Sequence, residues 1–301
     1  MFVAGVGQAA AVGWEARARR LAAYVELSKP RVTALVVAVA AAGFRLGAGG
    51  TPAGARLVVT LVAVALLGAG IFSLNQCFES AWDARMRRTA HRPLPSGRIQ
   101  ASHALWFGWL LSAAGLACLA AAVNWLSAAI GAATLASYLF LYTPLKRTTP
   151  HCTAVGAFPG AAPPLLGWAA AAGTLPAEAW WLFGILLLWQ FPHFHSIALL
   201  YRDDYARAGF RLWTVVEADA VTARRQTAGF AALLLPVSLA PAVVGGAGLE
   251  YLFGAALLGA AFLLLALRTA RSGSRRDAQR LLLGSVVYLP ALLLLLMIFD
   301  R

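Results

Sequence analysis

Nine stretches of about twenty mostly apolar residues, near 30–48, 56–78, 101–122, 124–142, 152–172, 178–200, 226–246, 249–270 and 281–299, constrain this chain more than any other feature. About twenty apolar residues cross the hydrocarbon core of a bilayer as a helix. Composition agrees: 60% of the 301 residues are hydrophobic and 12% charged, with a mean hydropathy of +0.72, far from an ordinary soluble domain. The expectation is an all-α integral membrane protein, a bundle of about nine transmembrane helices around a cavity open to the cytoplasmic side. Residues 1–301 then form one transmembrane domain, with 1–28 a cytoplasmic N-terminal segment and no large soluble part.

Short loops rich in Lys and Arg stay cytoplasmic. Twenty-two of the twenty-five basic residues precede or open the first stretch or follow the second, fourth, sixth and eighth, leaving Arg45, Arg56 and Arg301 opposite. That alternation predicts an N-terminus inside and a C-terminus outside. The net charge of +13 is spread over separate loops beside spans, which speaks against nucleic acid and for the lipid bilayer and an anionic substrate. Cys77, Cys118 and Cys152 lack CxxC spacing and lie in or beside spans, so no disulfide framework is expected. A removable signal peptide is not expected either, and a start without a long transit-like leader favours a bacterial inner (plasma) membrane as the expectation.

The scarce acids sit at two places on the basic side. Asn75, Glu79 and Asp83 recur at steps of four, which on a helix makes one stripe. Two carboxylates one turn apart repel each other unless a cation lies between them. Oxygen ligands without a neighbouring Cys or His pair point to a hard ion such as Mg²⁺, which is held by one or two carboxylates plus the substrate's phosphates. The same stripe also reads as a polar helix end facing water. Asp203 and Asp204 supply a second acidic cluster, able to clamp a diphosphate from the other side or to form a surface patch with Arg202 and Arg207. Arg88, Arg92, Lys146 and Arg147 are placed to neutralise phosphate oxygens; Lys146 and Arg147 read equally as topology anchors, and Lys29 reads only as one. The two acidic segments share a loose layout that would fit a four-span internal repeat.

These segments carry a resemblance. "NQCFESAWDARMRRTAHRPLPSGRI" at 75–99 is similar to the first signature of the UbiA-type intramembrane prenyltransferases, and within them of the protoheme IX farnesyltransferases, or heme O synthases. "YTPLKRTTPHCTAVGAFPGAAPPLLGWAAAAG" at 142–173 and "WQFPHFHSIALLYRDDYARAGF" at 189–210 agree in order and spacing, so the likeness covers about residues 25–220. It implies transfer of a farnesyl group from farnesyl diphosphate to a vinyl of heme B with addition of water, and a heme A synthase as a partner. Asn75, Glu79, Asp83, Asp203 and Asp204 would hold Mg²⁺ and diphosphate. Two departures stand out: Glu79 where many bacterial members have Asp, and His195 where the family commonly has Trp or Asn.

Imidazole is a common iron ligand, so His193 and His195 are heme-binding candidates. Heme as a substrate must leave, however, which removes the need for tight ligation. Trp106, Trp109, Trp125, Trp180 and Trp181 fit an interfacial belt. Pro159, Pro163 and Pro164 predict a kinked or broken fifth span with close neighbours, and Pro192 the same for the sixth. Other readings of the chain are a prenyltransferase for an aromatic or quinone precursor, which would share the acidic motifs, and a polytopic transporter, whose charges should cluster at the bilayer midplane. A noncatalytic assembly factor would need neither acidic pair.

Overall fold

The computed structural model describes residues 17–50 and 54–299. Every long element among them is helical, as a bilayer demands: without water, backbone N–H and C=O groups must pair within their own segment. A short helix α1 (17–27) precedes α2 (Pro30–Gly47), α3 (Gly54–Asp83), α4 (Ala101–Ala122), α5 (Trp125–Thr148) and α6 (Cys152–Ala172). Then come α7 (Ala177–Leu200), the short α8 (Arg202–Ala208), the single turn α9 (Trp213–Val216), α10 (Val221–Val243), α11 (Leu249–Ser272) and α12 (Arg275–Phe299). Eight of these are long and apolar enough to cross a membrane. The ninth expected span, α6, is 21 residues long but rich in Gly, Ala and Pro, and it is the most interior of the set. The expected N-terminal segment lies partly outside the described residues, as does Arg301.

Two large apolar clusters make up most of the core. One joins α7, α10, α11 and α12 and the other α3, α4 and α5; α2 and α6 contribute residues to both. Those two helices form a spine by touching backbone to backbone. A Cβ on Gly43 would land inside the Pro164 carbonyl, and one on Gly167 inside the Ala40 carbonyl. Helices in lipid associate through such close approach of small residues, because lipid tails are as apolar as Leu.

Of the kink or break expected in the fifth and sixth spans, the break is absent. α6 runs unbroken through Pro159, Pro163 and Pro164, and α7 through Pro192, because tight neighbours on both sides hold the chain where proline removes backbone donors. The close neighbours themselves are present. The interruption lies in α5 instead, where Ser137–Tyr142 is π-helical and the N–H of Thr143 reaches back to Tyr138 O. Such bulges collect at functional sites. At the opposite end of the bundle, Asn124 accepts from the Ser127 N–H at 2.8 Å and donates to Ala169 O at 2.7 Å, so one side chain caps α5 and ties it to α6.

α3 is the longest element at 30 residues, about 45 Å at 1.5 Å per residue against a hydrocarbon core of about 30 Å. Its last turns therefore project from the membrane, and they carry Asn75, Glu79 and Asp83. Hydrogen bonds gather the basic loops around this projection: Arg211 N–H to Lys146 O at 2.8 Å, and the Arg87 and Arg88 N–H groups to Asp204. On the outside, Trp106, Trp125 and Trp180 are exposed with Leu110, Phe253 and Leu257, while Trp109 and Trp181 are partly buried.

If the α2/α6 contact is the spine, Gly43→Val should cost about 3 kcal/mol or more, the upper end of overpacking. Gly229→Ala, with open space around its added methyl, should be neutral or stabilising by up to about 1 kcal/mol. Thermal melting of the two variants in detergent checks this, and an unchanged melting point for Gly43→Val would contradict it.

Candidate active site

The projecting end of α3 forms one wall of a cavity of about 220 Å³. Asn75, Glu79 and Asp83 are all buried there, at 2%, 6% and 1% exposure. The expected repulsion between the two carboxylates is resolved by giving each its own cation. Lys146 Nζ lies 2.6 Å from Glu79 Oε1, and Arg92 Nη1 lies 2.6 Å from Asp83 Oδ2. The π-helical turn of α5 sets the height of Lys146, and Thr143 beside it accepts from Asn75 Nδ2 at 3.2 Å. Thr89 Oγ1 donates to the Asp83 carbonyl at 2.8 Å, which folds the 84–100 segment back so that Arg92 reaches the acid.

Asp83 Oδ1 is buried and has no partner in the structure. A bare carboxylate oxygen is costly to bury, so this atom marks a position made for a ligand. Among the described residues no group of three or more His, Cys, Asp and Glu forms a metal cage. The oxygen-only set of Asn75, Glu79 and Asp83 instead fits an ion that takes one or two carboxylates and completes its shell from a ligand's phosphates.

Sequence reasoning missed Lys29. Its ammonium points into the same cavity, 3.5 Å from Asn75 Oδ1 and 5.3 Å from the centre of the Phe72 ring. Lys29 has φ 47° and ψ 63°, a left-handed conformation rare for a side chain and disfavoured before proline. Neighbouring bonds enforce it: Gln76 Nε2 to Leu27 O at 2.6 Å and Thr33 Oγ1 to Ser28 O at 2.8 Å. Burial, and then the positive charge of Arg92, lower the Lys29 pKa to about 7. The Lys-Pro pair directly at the start of the first span was the available signal.

The apolar part of the cavity comes from α7 and the segment after it, through Phe194, Ile197, Phe210 and Leu212, with Tyr138, Tyr142 and Tyr205 between the apolar and charged parts. Arg88 closes the wall, its guanidinium 4.9 Å from the Tyr201 ring centre. The structure thus brings Asn75, Glu79, Asp83, Arg88, Arg92 and Lys146 together. It does not bring the other sequence candidates into this space. Asp204 is buried behind Arg88, accepting the backbone N–H groups of Arg87 and Arg88 at 3.3 Å each and pairing with Arg207. Asp203 is exposed beside it. Arg147 lies over the Trp82 ring at 4.2 Å, outside the cavity. His193 stacks on Trp189 and bonds Ser285 of α12 at 2.7 Å, and His195 faces Thr227 of α10 at 3.3 Å.

The chain matches the model of the UbiA prenyltransferase family over residues 35–295. It is 48% identical over 290 residues to the protoheme IX farnesyltransferase of Solibacter usitatus strain Ellin6076, covering 92% of this chain and 98% of that one. In fold it is similar to a digeranylgeranylglyceryl phosphate synthase, with a TM-score of 0.78 at 17% identity over 93% of this chain and 98% of that one. A UbiA homolog from Archaeoglobus fulgidus bound to GPP and Mg²⁺ superposes with a TM-score of 0.63 at 17% identity, covering 91% and 99%. The chain belongs to the UbiA prenyltransferase family.

Proposed function

We propose that this protein transfers the farnesyl group of farnesyl diphosphate to a vinyl group of heme B with addition of water, giving heme O and diphosphate. The observation that carries this reading is the cavity: a wall of cations around a bare carboxylate oxygen, continuous with an aromatic and aliphatic wall. The 48% identity to a relative named for this reaction supports the choice of substrates. The basic end of the bundle is the cytoplasmic face by the positive-inside rule, in the inner membrane of a bacterium.

Lys29, Arg88, Arg92 and Lys146 bind the diphosphate. Arg92 and Lys146 exchange their carboxylates for phosphate oxygens as it enters, while Arg147 adds charge from outside. Asn75, Glu79 and Asp83 would hold Mg²⁺ with those oxygens, the ion supplying neutralisation of the leaving group. Asp203 and Asp204 act at one remove in this reading, because Asp204 fixes the Arg87–Arg88 backbone and thereby aims Arg88. The allylic C–O bond then breaks with both electrons on the diphosphate. Tyr138, Tyr142, Tyr205 and Phe194 line the cavity, where aromatic rings stabilise the farnesyl cation, and the apolar wall keeps water from it. The vinyl terminal carbon attacks C1 of the farnesyl cation, water adds to the resulting cation beside the pyrrole, and a proton leaves.

His193 and His195 remain heme candidates through their tautomer. Ser285 Oγ donates to Leu282 O and Thr227 Oγ1 to Ala223 O, so each hydroxyl accepts from an imidazole Nδ1–H. That leaves Nε2 of both rings as the lone-pair nitrogen, the form that ligates iron.

Mass spectrometry of heme extracted after incubating purified protein with heme B, farnesyl diphosphate and Mg²⁺ tests the reaction. Hydroxyethylfarnesyl heme is the expected product, lost on chelation and restored by Mg²⁺. Asp83→Asn should lower the rate by about two to three orders of magnitude, as loss of one charge-stabilising group does. Unchanged heme with folded protein would overturn the assignment and favour an aromatic or quinone acceptor.

A separate test follows from Lys29. A bound diphosphate stabilises the charged ammonium, so binding takes up a proton and weakens as pH rises above about 7, where phosphate groups are already ionised. Affinity of the wild type for a non-reacting farnesyl diphosphate analogue should fall between about pH 7 and 9. Lys29→Arg should bind with a flat profile, and Lys29→Met weakly with a flat profile. A wild-type profile as flat as that of Lys29→Arg would exclude the ammonium from the site.

A further inference from the structure

A second basic cavity lies at the same end of the bundle. Arg17, Arg19 and Arg20 of α1 and Arg98 of the 84–100 segment line about 460 Å³ that shares no residue with the catalytic cavity. Arg98 is its fixed wall: Nε donates to Ser96 Oγ at 3.0 Å, Nη2 to His91 O at 2.6 Å, and Nη1 pairs with Glu26 at 2.8 Å. Each Nη still carries a hydrogen for a further acceptor. Glu26 pairs with Arg98, and among the described residues the lining of this cavity is four arginines.

α1 explains where this cavity sits. Its inner face, Ala23 and Leu27, is buried against Ile99 and Ala104. Along another face Arg17, Leu21 and Val25 recur at steps of four, and Leu21 and Val25 are 67% and 51% exposed. The helix ends two residues before α2 enters the membrane. Exposed aliphatic side chains beside arginines, at the mouth of a span, make a helix that lies at headgroup depth. A soluble phosphate would gain nothing from Leu21 and Val25, whereas a lipid brings acyl chains to them and a phosphate to the guanidinium forks.

We infer that Arg17, Arg20 and Arg98 form a seat for the phosphate of one acidic phospholipid, separate from the substrate cavity. The seat binds across the α1/84–100 junction. It therefore holds α1, and the Leu27 carbonyl that Gln76 grips, against the segment that carries Arg88 and Arg92.

The test is native mass spectrometry of the full chain released from nanodiscs of equal phosphatidylglycerol and phosphatidylcholine. The wild type should retain phosphatidylglycerol in preference to phosphatidylcholine. Arg17→Gln with Arg20→Gln should retain roughly ten- to thirty-fold less, the weight of two arginines at an anionic surface. The exposed single variant Arg17→Gln should lose several-fold, and Arg268→Gln, elsewhere on the same face, nothing. Equal retention by wild type and the double variant, or no preference between the two lipids, would overturn the seat. Complete displacement of phosphatidylglycerol by inorganic phosphate would assign the arginines to a free phosphate and overturn the lipid.

Discussion

Two buried ion pairs at the end of α3, Glu79 with Lys146 and Asp83 with Arg92, organise everything at the basic end of this bundle. As stabilising devices they are poor, because stripping water from four charges consumes most of the attraction gained. As organisers they are effective, since leaving any partner alone would bury an uncompensated charge. Lys146 draws in the end of α5, and Arg92 folds the 84–100 segment over the acids. Lys29 then arrives from the start of α2 without a carboxylate of its own among the described residues. The cavity carries two more positive than negative side chains when all are ionised, and burial first, then the nearby Arg92 charge, lowers the Lys29 pKa. An entering anion relieves the excess charge.

The rest of the fold holds this arrangement still. α2 and α6 touch through Gly43 and Gly167, and the two apolar clusters pack on either side of that spine. α3 brings its acids to the site from one cluster, and α7 brings Phe194 and Ile197 from the other. Rigidity is needed on both sides, because the cavity must align charged and apolar walls along one ligand. The π-helical turn in α5 is the local price of reach: it shifts Lys146 relative to the Tyr138 and Tyr142 rings that line the same space.

Much of this was legible in the sequence, for a physical reason. In a chain with twelve acids, the steps of four from Asn75 to Asp83 stand out, and helical spacing alone places them on one face. Arg88, Arg92 and Lys146 followed from their nearness to those acids or to a span end. Other features were not legible. Lys29 resembles any basic anchor until α1 and Gln76 fix its backbone. Asp204 reads as a metal ligand in the sequence, where nothing signals that its oxygens accept from the Arg87 and Arg88 amides. The prolines of α6 pointed to a kinked or broken helix, and close packing keeps it unbroken, while the interruption of α5 falls in "SYLFLY", which contains neither glycine nor proline.

The central claim is that a diphosphate takes over the cations that Glu79 and Asp83 now hold. A cryo-electron microscopy structure with farnesyl thiolodiphosphate and Mg²⁺ tests it most directly. The account predicts phosphate oxygens at hydrogen-bonding distance, about 3 Å, from Lys29, Arg92 and Lys146, with the metal on Asp83 Oδ1. A diphosphate bound elsewhere, with both ion pairs intact, would contradict it.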